Sequence, residues 1–416
     1  MLPKYNYKKL ENGLEVYHIP LNKGSDVISV NVFYRVGSRN ETMGKSGIAH
    51  MLEHLNFKST KNHEAGEFDK IVKSFGGINN ASTGFDYTHY FIKCSNSNLE
   101  KSLELYADIM ENLNLNDEEF QPERDVVYEE RLWRTDNDPF GYMFFRIFNN
   151  AFIYHPYHWT PIGFKDDIKN WSIDDIKEFH SIYYQPRNAV LLICGDIDEN
   201  LTFELSKKYF SHIQNRREIP TIHTYEPPQD GEKNINICRE SEVEILALAY
   251  KIPPFKHEDR VKLEASAEYL TNGKSSILHQ ILIDEKKLVN DISSYNISSI
   301  DENLFIVFAI CNQNVKANLV KDEILKILDD LKQNLISDDD LEKIKNSVKS
   351  IFTYSFDNTS KVSSIFGNHI MKDDLKSLYS YQESVNLLSK DDLKYCFNRY
   401  FSNKTLTTTI LKKDKG

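Results

Sequence analysis

The sequence predicts an α+β protein of two homologous halves, each a mostly antiparallel sheet packed with helices. Three observations predict it. Segments of strand-like composition come in clusters followed by long helical patterns, rather than in strict alternation. A stretch rich in Pro, NRREIPTIHTYEPPQDGEK at 215–233, breaks the apolar patterning close to the middle of the 416 residues. The segment order of the first half then recurs at an offset of 215–216 residues. VFYRV at 32–36 parallels LAYKI at 248–252, and HMLEHL at 50–55 parallels ASAEYL at 265–270. The division expected is a first domain over 1–215, a linker over 216–233 and a second domain over 234–416.

The elements of the first half follow in order. Leu14–Ile19 and Val27–Val36 have strand composition and are punctuated by Gly13 and Gly24. Ile48–Phe57 reads as a helix, and Gly66–Phe75 as another. Gly76–Gly84, with its Gly, Asn and Ser, reads as a turn leading to a strand over Tyr87–Cys94. A long helix is expected over Leu99–Leu113, and a further one from Pro122, a residue suited to a first helical turn. VLLICGD at 190–196 reads as a buried strand ending in a turn.

Composition excludes several classes of function. Apolar residues make up 40% of the chain, enough for sizeable cores, so wholesale disorder is excluded. No apolar run approaches the ~18–20 residues of a membrane-spanning helix. The formal charge of −11 argues against non-specific nucleic-acid binding, which needs surplus Lys and Arg. No basic segment followed by an apolar stretch opens the sequence, and Cys94, Cys194, Cys238, Cys311 and Cys396 are scattered without a CxxC pair. A reducing cytoplasm is the compartment expected.

The strongest local signal is His50-Met51-Leu52-Glu53-His54. On a helix the two histidines stand one turn apart on one face, with Glu53 beside them. Two neutral imidazoles can bind one Zn²⁺, leaving the carboxylate to take a proton from metal-bound water. The order is the inverted HxxEH arrangement. A third ligand is needed, and QPERDVVYEERLWR supplies candidates. Glu123 and Glu130, seven residues apart, share a helix face, whereas Glu129 is rotated by about 100°. Val126 and Val127 between them are expected to anchor that helix to the core. Taken alone, the segment reads better as an ordinary acidic surface beside Arg124, Arg131 and Arg134.

Together the two segments resemble the pitrilysin-type zinc peptidases, with a Glu 76 residues after the second His and another seven before it. YKKLENGLEVYHIP resembles that family's opening strands, and GSRNETMGKSGIAHMLEHLNFKST its approach to and exit from the metal helix. The resemblance implies one Zn²⁺ held by His50, His54 and Glu130, with Glu53 as general base and Glu123 orienting a ligating histidine. GGINNAST at 76–83 resembles the edge strand beside the zinc, where Asn80 and Ala81 would hold an extended peptide. The implied activity is a metalloendopeptidase acting on short or unfolded peptides in an enclosed chamber. The rival class is a non-catalytic scaffold, since some relatives keep the fold without peptidase activity.

The second half departs from the pattern. Ala265 and Tyr269 stand where the histidines would be, so one zinc site per chain is expected. The family's active two-half enzymes carry a substrate-contacting Arg and Tyr seven residues apart. The matching positions here are Ile283 and Asn290, and no arginine occurs between Arg260 and Arg399. A dimer is expected, with an unlike subunit supplying the missing pair or, as the main rival, a second copy of the chain. His155-Pro156-Tyr157-His158 reads as a packed loop, and His63, His89 and His180 as isolated surface or core histidines.

Overall fold

The computed structural model describes residues 2–414. The chain opens with β1 (Asn6–Lys9), β2 (Glu15–Pro20) and β3 (Val27–Tyr34), then α1 (Ile48–Leu55) and α2 (Glu67–Ser74). β4 (Ile78–Thr83), β5 (Thr88–Ser95), α3 (Leu99–Asn112), α4 (Asp117–Arg131) and α5 (Pro139–Ala151) follow. α6 (Lys165–Asn170), α7 (Ile173–Tyr183), β6 (Ala189–Gly195) and α8 (Glu199–Phe210) complete the first half. The second runs through β7 (Lys233–Glu240), β8 (Ile245–Ile252), α9 (Arg260–Thr271), β9 (Val289–Asn296), β10 (Asn303–Cys311), α10 (Ala317–Gln333) and α11 (Asp338–Tyr354). It ends with α12 (Thr359–Met371), α13 (Leu375–Leu387), α14 (Lys390–Tyr400) and β11 (Leu406–Asp414). Among the described residues, no helix is long and apolar enough to cross a membrane.

The strands form two sheets, in the orders β1-β2-β6-β3-β5-β4 and β7-β11-β8-β10-β9. Without β1, the first order maps onto the second strand by strand. The pairings map as well: β2–β6 and β7–β11 are parallel, and every other neighbouring pair is antiparallel. The duplicated α+β architecture expected from the sequence is therefore present. The six-stranded sheet packs α1 and α3 over a core including Val30, Val32, Leu52, Leu103 and Leu191. The second core repeats that plan with Leu248, Tyr250, Leu263, Val307 and Leu328.

The compact units do not follow the simple division into 1–215, 216–233 and 234–416. The first comprises the segment up to Arg131, Trp159–Thr224 and Ser355–Leu375; the second comprises Leu132–His158, Tyr225–Tyr354 and the segment from Lys376 onward. The reason is packing. α12, from the second half of the chain, lays Gly367 against the Phe33 ring of β3, where any Cβ would collide with the aromatic carbons. α5, from the first half, stacks Phe140 and Phe144 on Phe308 of β10, with ring centroids 4.7 and 6.4 Å apart. Each sheet thus borrows a helix from the other half of the sequence.

Three local expectations need correction. Residues 78–83 form the edge strand that the family resemblance implied and not the turn that their composition suggests, because β5 supplies a complete antiparallel partner from Ile78↔Lys93 to Thr83↔Thr88. α4 begins at Asp117, not Pro122: Asn116 Oδ1 accepts the Glu119 amide at 2.9 Å, and three acidic residues face the positive end of the helix. Val127 is buried, but Val126 is 50% exposed and anchors nothing. In the 155–158 loop, His155 is buried, accepts the Tyr157 amide at Nδ1 (3.1 Å) and turns Nε2 to Asp301 at 3.0 Å.

Candidate metal centre

α1 is amphipathic in the way its composition dictates. Ile48, Ala49, Met51, Leu52 and Leu55 enter the core, leaving His50, Glu53 and His54 on the other side. Its N-terminus is fixed from the preceding loop. Gly47 is left-handed, at φ +88°, and a Cβ there would meet Ile162 O at 2.6 Å, so glycine is required. Ser46 donates its hydroxyl to Asp167 at 2.6 Å, and the buried Arg131 at the end of α4 donates to Gly163 O, which ties α4 to the loop beside α1.

These constraints bring three ligand-type residues together. One donor atom each of His50, His54 and Glu130 lies within 4.8 Å of the others. His54 Nε2 is 3.3 Å and His50 Nε2 3.7 Å from Glu130 Oε2. Zinc bonds of about 2.0–2.1 Å at tetrahedral angles place ligand atoms about 3.3 Å apart; the His54–Glu130 pair already stands at that distance, and the wider pairs of the set must draw in to hold the ion. The imidazole rings stand nearly perpendicular, at 80° with centroids 4.8 Å apart, so they converge from two directions.

Glu123 stands one step behind. Its Oε1 is 2.8 Å from His54 Nδ1, and its Oε2 is 2.5 Å from Lys58 Nζ. For His54 Nε2 to hold a metal, Nδ1 must carry the proton, and Glu123 is the acceptor for it. Burial opposes the His54 imidazolium, but hydrogen bonds to Glu123 and Glu130 outweigh it and raise the group to about 9. Burial likewise works against ionised Glu123, and the hydrogen bonds from His54 and Lys58 still hold it below the usual carboxylate range. The raised His54 group reflects the two carboxylates around it, and the lowered Glu123 group the two cationic partners it faces.

Glu53 points from α1 toward β4, where Thr83 Oγ1 donates to its Oε2 at 2.5 Å. β4 is one of the two edge strands of its sheet. Thr83 and Asn79 turn their side chains to the helix face, Asn79 reaching Asp69 of α2 at 2.8 Å, and Ala81 packs on the core. The Asn80 side chain lies on the other face and bends back, so that its Oδ1 accepts the Ala81 amide at 2.9 Å. The structure thus groups His50, Glu53, His54, Glu123 and Glu130, and sets the strand bearing Asn80 and Ala81 beside Glu53. Sequence reasoning missed Lys58, Thr83 and the buried Glu41, which contacts the amides at the start of α1. Lys58, four residues beyond His54, carried a weak signal; Thr83 and Glu41 carried none.

Fold and site define a class: duplicated α+β proteins with, among the described residues, one two-histidine, one-glutamate cluster, which lies in the first half. Comparison with known proteins narrows it. A family profile described as "Insulinase (Peptidase family M16)" matches residues 19–140, and one described as "Peptidase M16 inactive domain" matches 170–348. Zinc protease PqqE of Helicobacter pylori is 51% identical over 414 residues, covering 99% of this chain and 93% of that protein. The crystal structure of a protease from Helicobacter pylori superposes with a TM-score of 0.97 at 50% identity, covering 99% of this chain and all of that one. Cytochrome b-c1 complex subunit 1 of Bos taurus is 28% identical over 75% of this chain and 66% of its own length. The chain belongs to peptidase family M16, with the pitrilysin-like fold.

Proposed function

We propose that this protein is a zinc metalloendopeptidase acting on short or unfolded peptides, with one Zn²⁺ per chain held by His50, His54 and Glu130. The observation that carries the reading is the convergence of those donors within 4.8 Å. Bound there, zinc would polarise the scissile carbonyl and acidify water. The chain's own residues do the rest. Glu53 takes the proton of the attacking water and returns it to the leaving amine, while Thr83 holds its far oxygen. Glu123 keeps His54 in the ligating tautomer, and Lys58 balances Glu123's charge. An extended peptide pairs with the edge of β4, its carbonyl replacing Asn80 Oδ1 at the Ala81 amide. The cytoplasmic setting of this reading rests on the scattered cysteines, which form no CxxC pair.

Ile283 and Asn290, where an Arg–Tyr pair would contact substrate, favour a dimer in which an unlike chain supplies that pair. Metal analysis and cleavage of a quenched peptide, with and without chelator, test the reading. Wild-type chain should bind one zinc. Glu53→Gln should keep the zinc and lose about 10²–10⁴-fold in kcat. A wild-type chain without zinc sinks the enzyme reading and favours a structural subunit. Zinc-loaded chain that stays inert until a second chain is added supports the divided site.

A further inference from the structure

The helix carrying His50 and His54 starts at Gly47, which has no side chain with which to cap it. The first amides of a helix need acceptors from elsewhere. Glu41, in the preceding loop, provides them. Its Oε2 accepts the Gly47 amide at 2.8 Å and its Oε1 the Ala49 amide at 2.9 Å, while the Trp159 indole donates to Oε2 at 2.8 Å. We propose that Glu41 is a positioning residue of the metal centre: it locks the first turn of α1 and so sets the His50 imidazole relative to His54 and Glu130. The inference rests on reading those three residues as a metal site.

Three observations support it. Glu41 acts at the turn that contains His50, through the amide of the residue just before it, whereas His54 is held one turn later by Glu123. The arrangement is costly: Glu41 is only 5% exposed, and burial pushes its carboxyl up to about 8 despite the three donors. A fold that merely needed its helix started would use a cheaper cap, and the second half does so. α9, the counterpart of α1, places Ala265 where His50 stands, and the amide of its N-cap residue Asp259 goes to His257 Nδ1 at 3.1 Å, an exposed imidazole in place of a buried carboxylate. Its preceding carboxylate, Asp259, faces Lys262 at 2.9 Å and Tyr400 at 2.6 Å instead. The buried carboxylate on the helix start accompanies the ligands, not the fold.

Glu41→Gln tests this, because the amide keeps one acceptor but turns an NH₂ toward the remaining donors. The readouts are zinc affinity by chelator competition and the visible d–d spectrum of the Co²⁺-substituted protein. Circular dichroism checks the fold. Zinc affinity should fall about 10–100-fold, with an altered Co²⁺ band. Trp159→Phe, which removes one donor and leaves both amide contacts, should shift the band the same way by less, and it decides the matter if Glu41→Gln does not fold. Unchanged affinity and superimposable spectra in the folded variants overturn the proposal and leave the metal reading standing. A wild-type chain that takes up neither ion overturns both.

Discussion

Glu123 and Glu130 stand seven residues apart on one helix face, yet their surroundings give them different tasks. Glu130 faces both imidazole Nε2 atoms, while Glu123 faces His54 Nδ1 and the Lys58 ammonium. Substitution should separate them. Glu123→Gln leaves all three donors in place but removes the charge that favours the ligating tautomer, so zinc affinity should fall about 10–100-fold. Glu130→Gln deletes an anionic donor and should cost more. Chelator competition on both variants ranks them, and equal losses would mean that Glu123 does not act through His54. The spacing of these glutamates was legible in the sequence because a helix turns a count of residues into an angle. Glu41 was not. It lies in a loop, and its hold on Gly47 and Ala49 depends on a chain path that no periodicity encodes.

At the scale of elements, α1 was readable from its own residues, whereas β4 was legible only through the family resemblance, for opposite reasons. α1 buries Ile48, Met51, Leu52 and Leu55 at helical spacing, so its own sequence contains the evidence. β4 reads Ile-Asn-Asn-Ala-Ser-Thr, turn-like by composition, and is a strand because β5 pairs with it along its length. α4 starts before Pro122 because Asn116 supplies a cap about one and a half turns earlier, and Pro122 lies within the first two turns that follow. That cap also registers the duplication, since Ser337 Oγ accepts the Asp340 amide in the same way at the start of α11. From those caps, Glu123 falls opposite Ile344 and Glu130 opposite Ile351, so the second half lacks a counterpart to either carboxylate. The edge strand offers its own test. Ala81→Pro removes the edge amide at a position where proline is tolerated, so zinc content should stay at the wild-type level. kcat/KM for a peptide should fall about tenfold or more, the worth of roughly 1.4 kcal/mol in lost backbone pairing. Unchanged kcat/KM would remove β4 from the substrate path.

For the whole molecule, the exchange of α5 and α12 decides what can fold alone. The two helices occupy equivalent places, each after the helix that follows the capped turn, and each is 13 residues long. Yet α12 covers the sheet of the unit that contains His50, His54 and Glu130, and α5 covers the other. A fragment of residues 1–224 would therefore keep every proposed ligand and lose the helix over Phe33. It would also carry α5 without the sheet on which Phe140 and Phe144 pack. Both omissions leave large aromatic surfaces facing water, which favours aggregation or a loosely packed state. The fragment alone should bind a hydrophobic dye, unfold without a cooperative transition and take up little zinc. Co-expression with residues 225–416 should restore α12 in trans, along with cooperative unfolding and one zinc per pair. The interruption falls in the proline-rich stretch, where few packing contacts are cut. If 1–224 alone unfolds cooperatively and binds zinc as tightly as the whole chain, then α12 is dispensable to the site, and the first half is a complete domain after all.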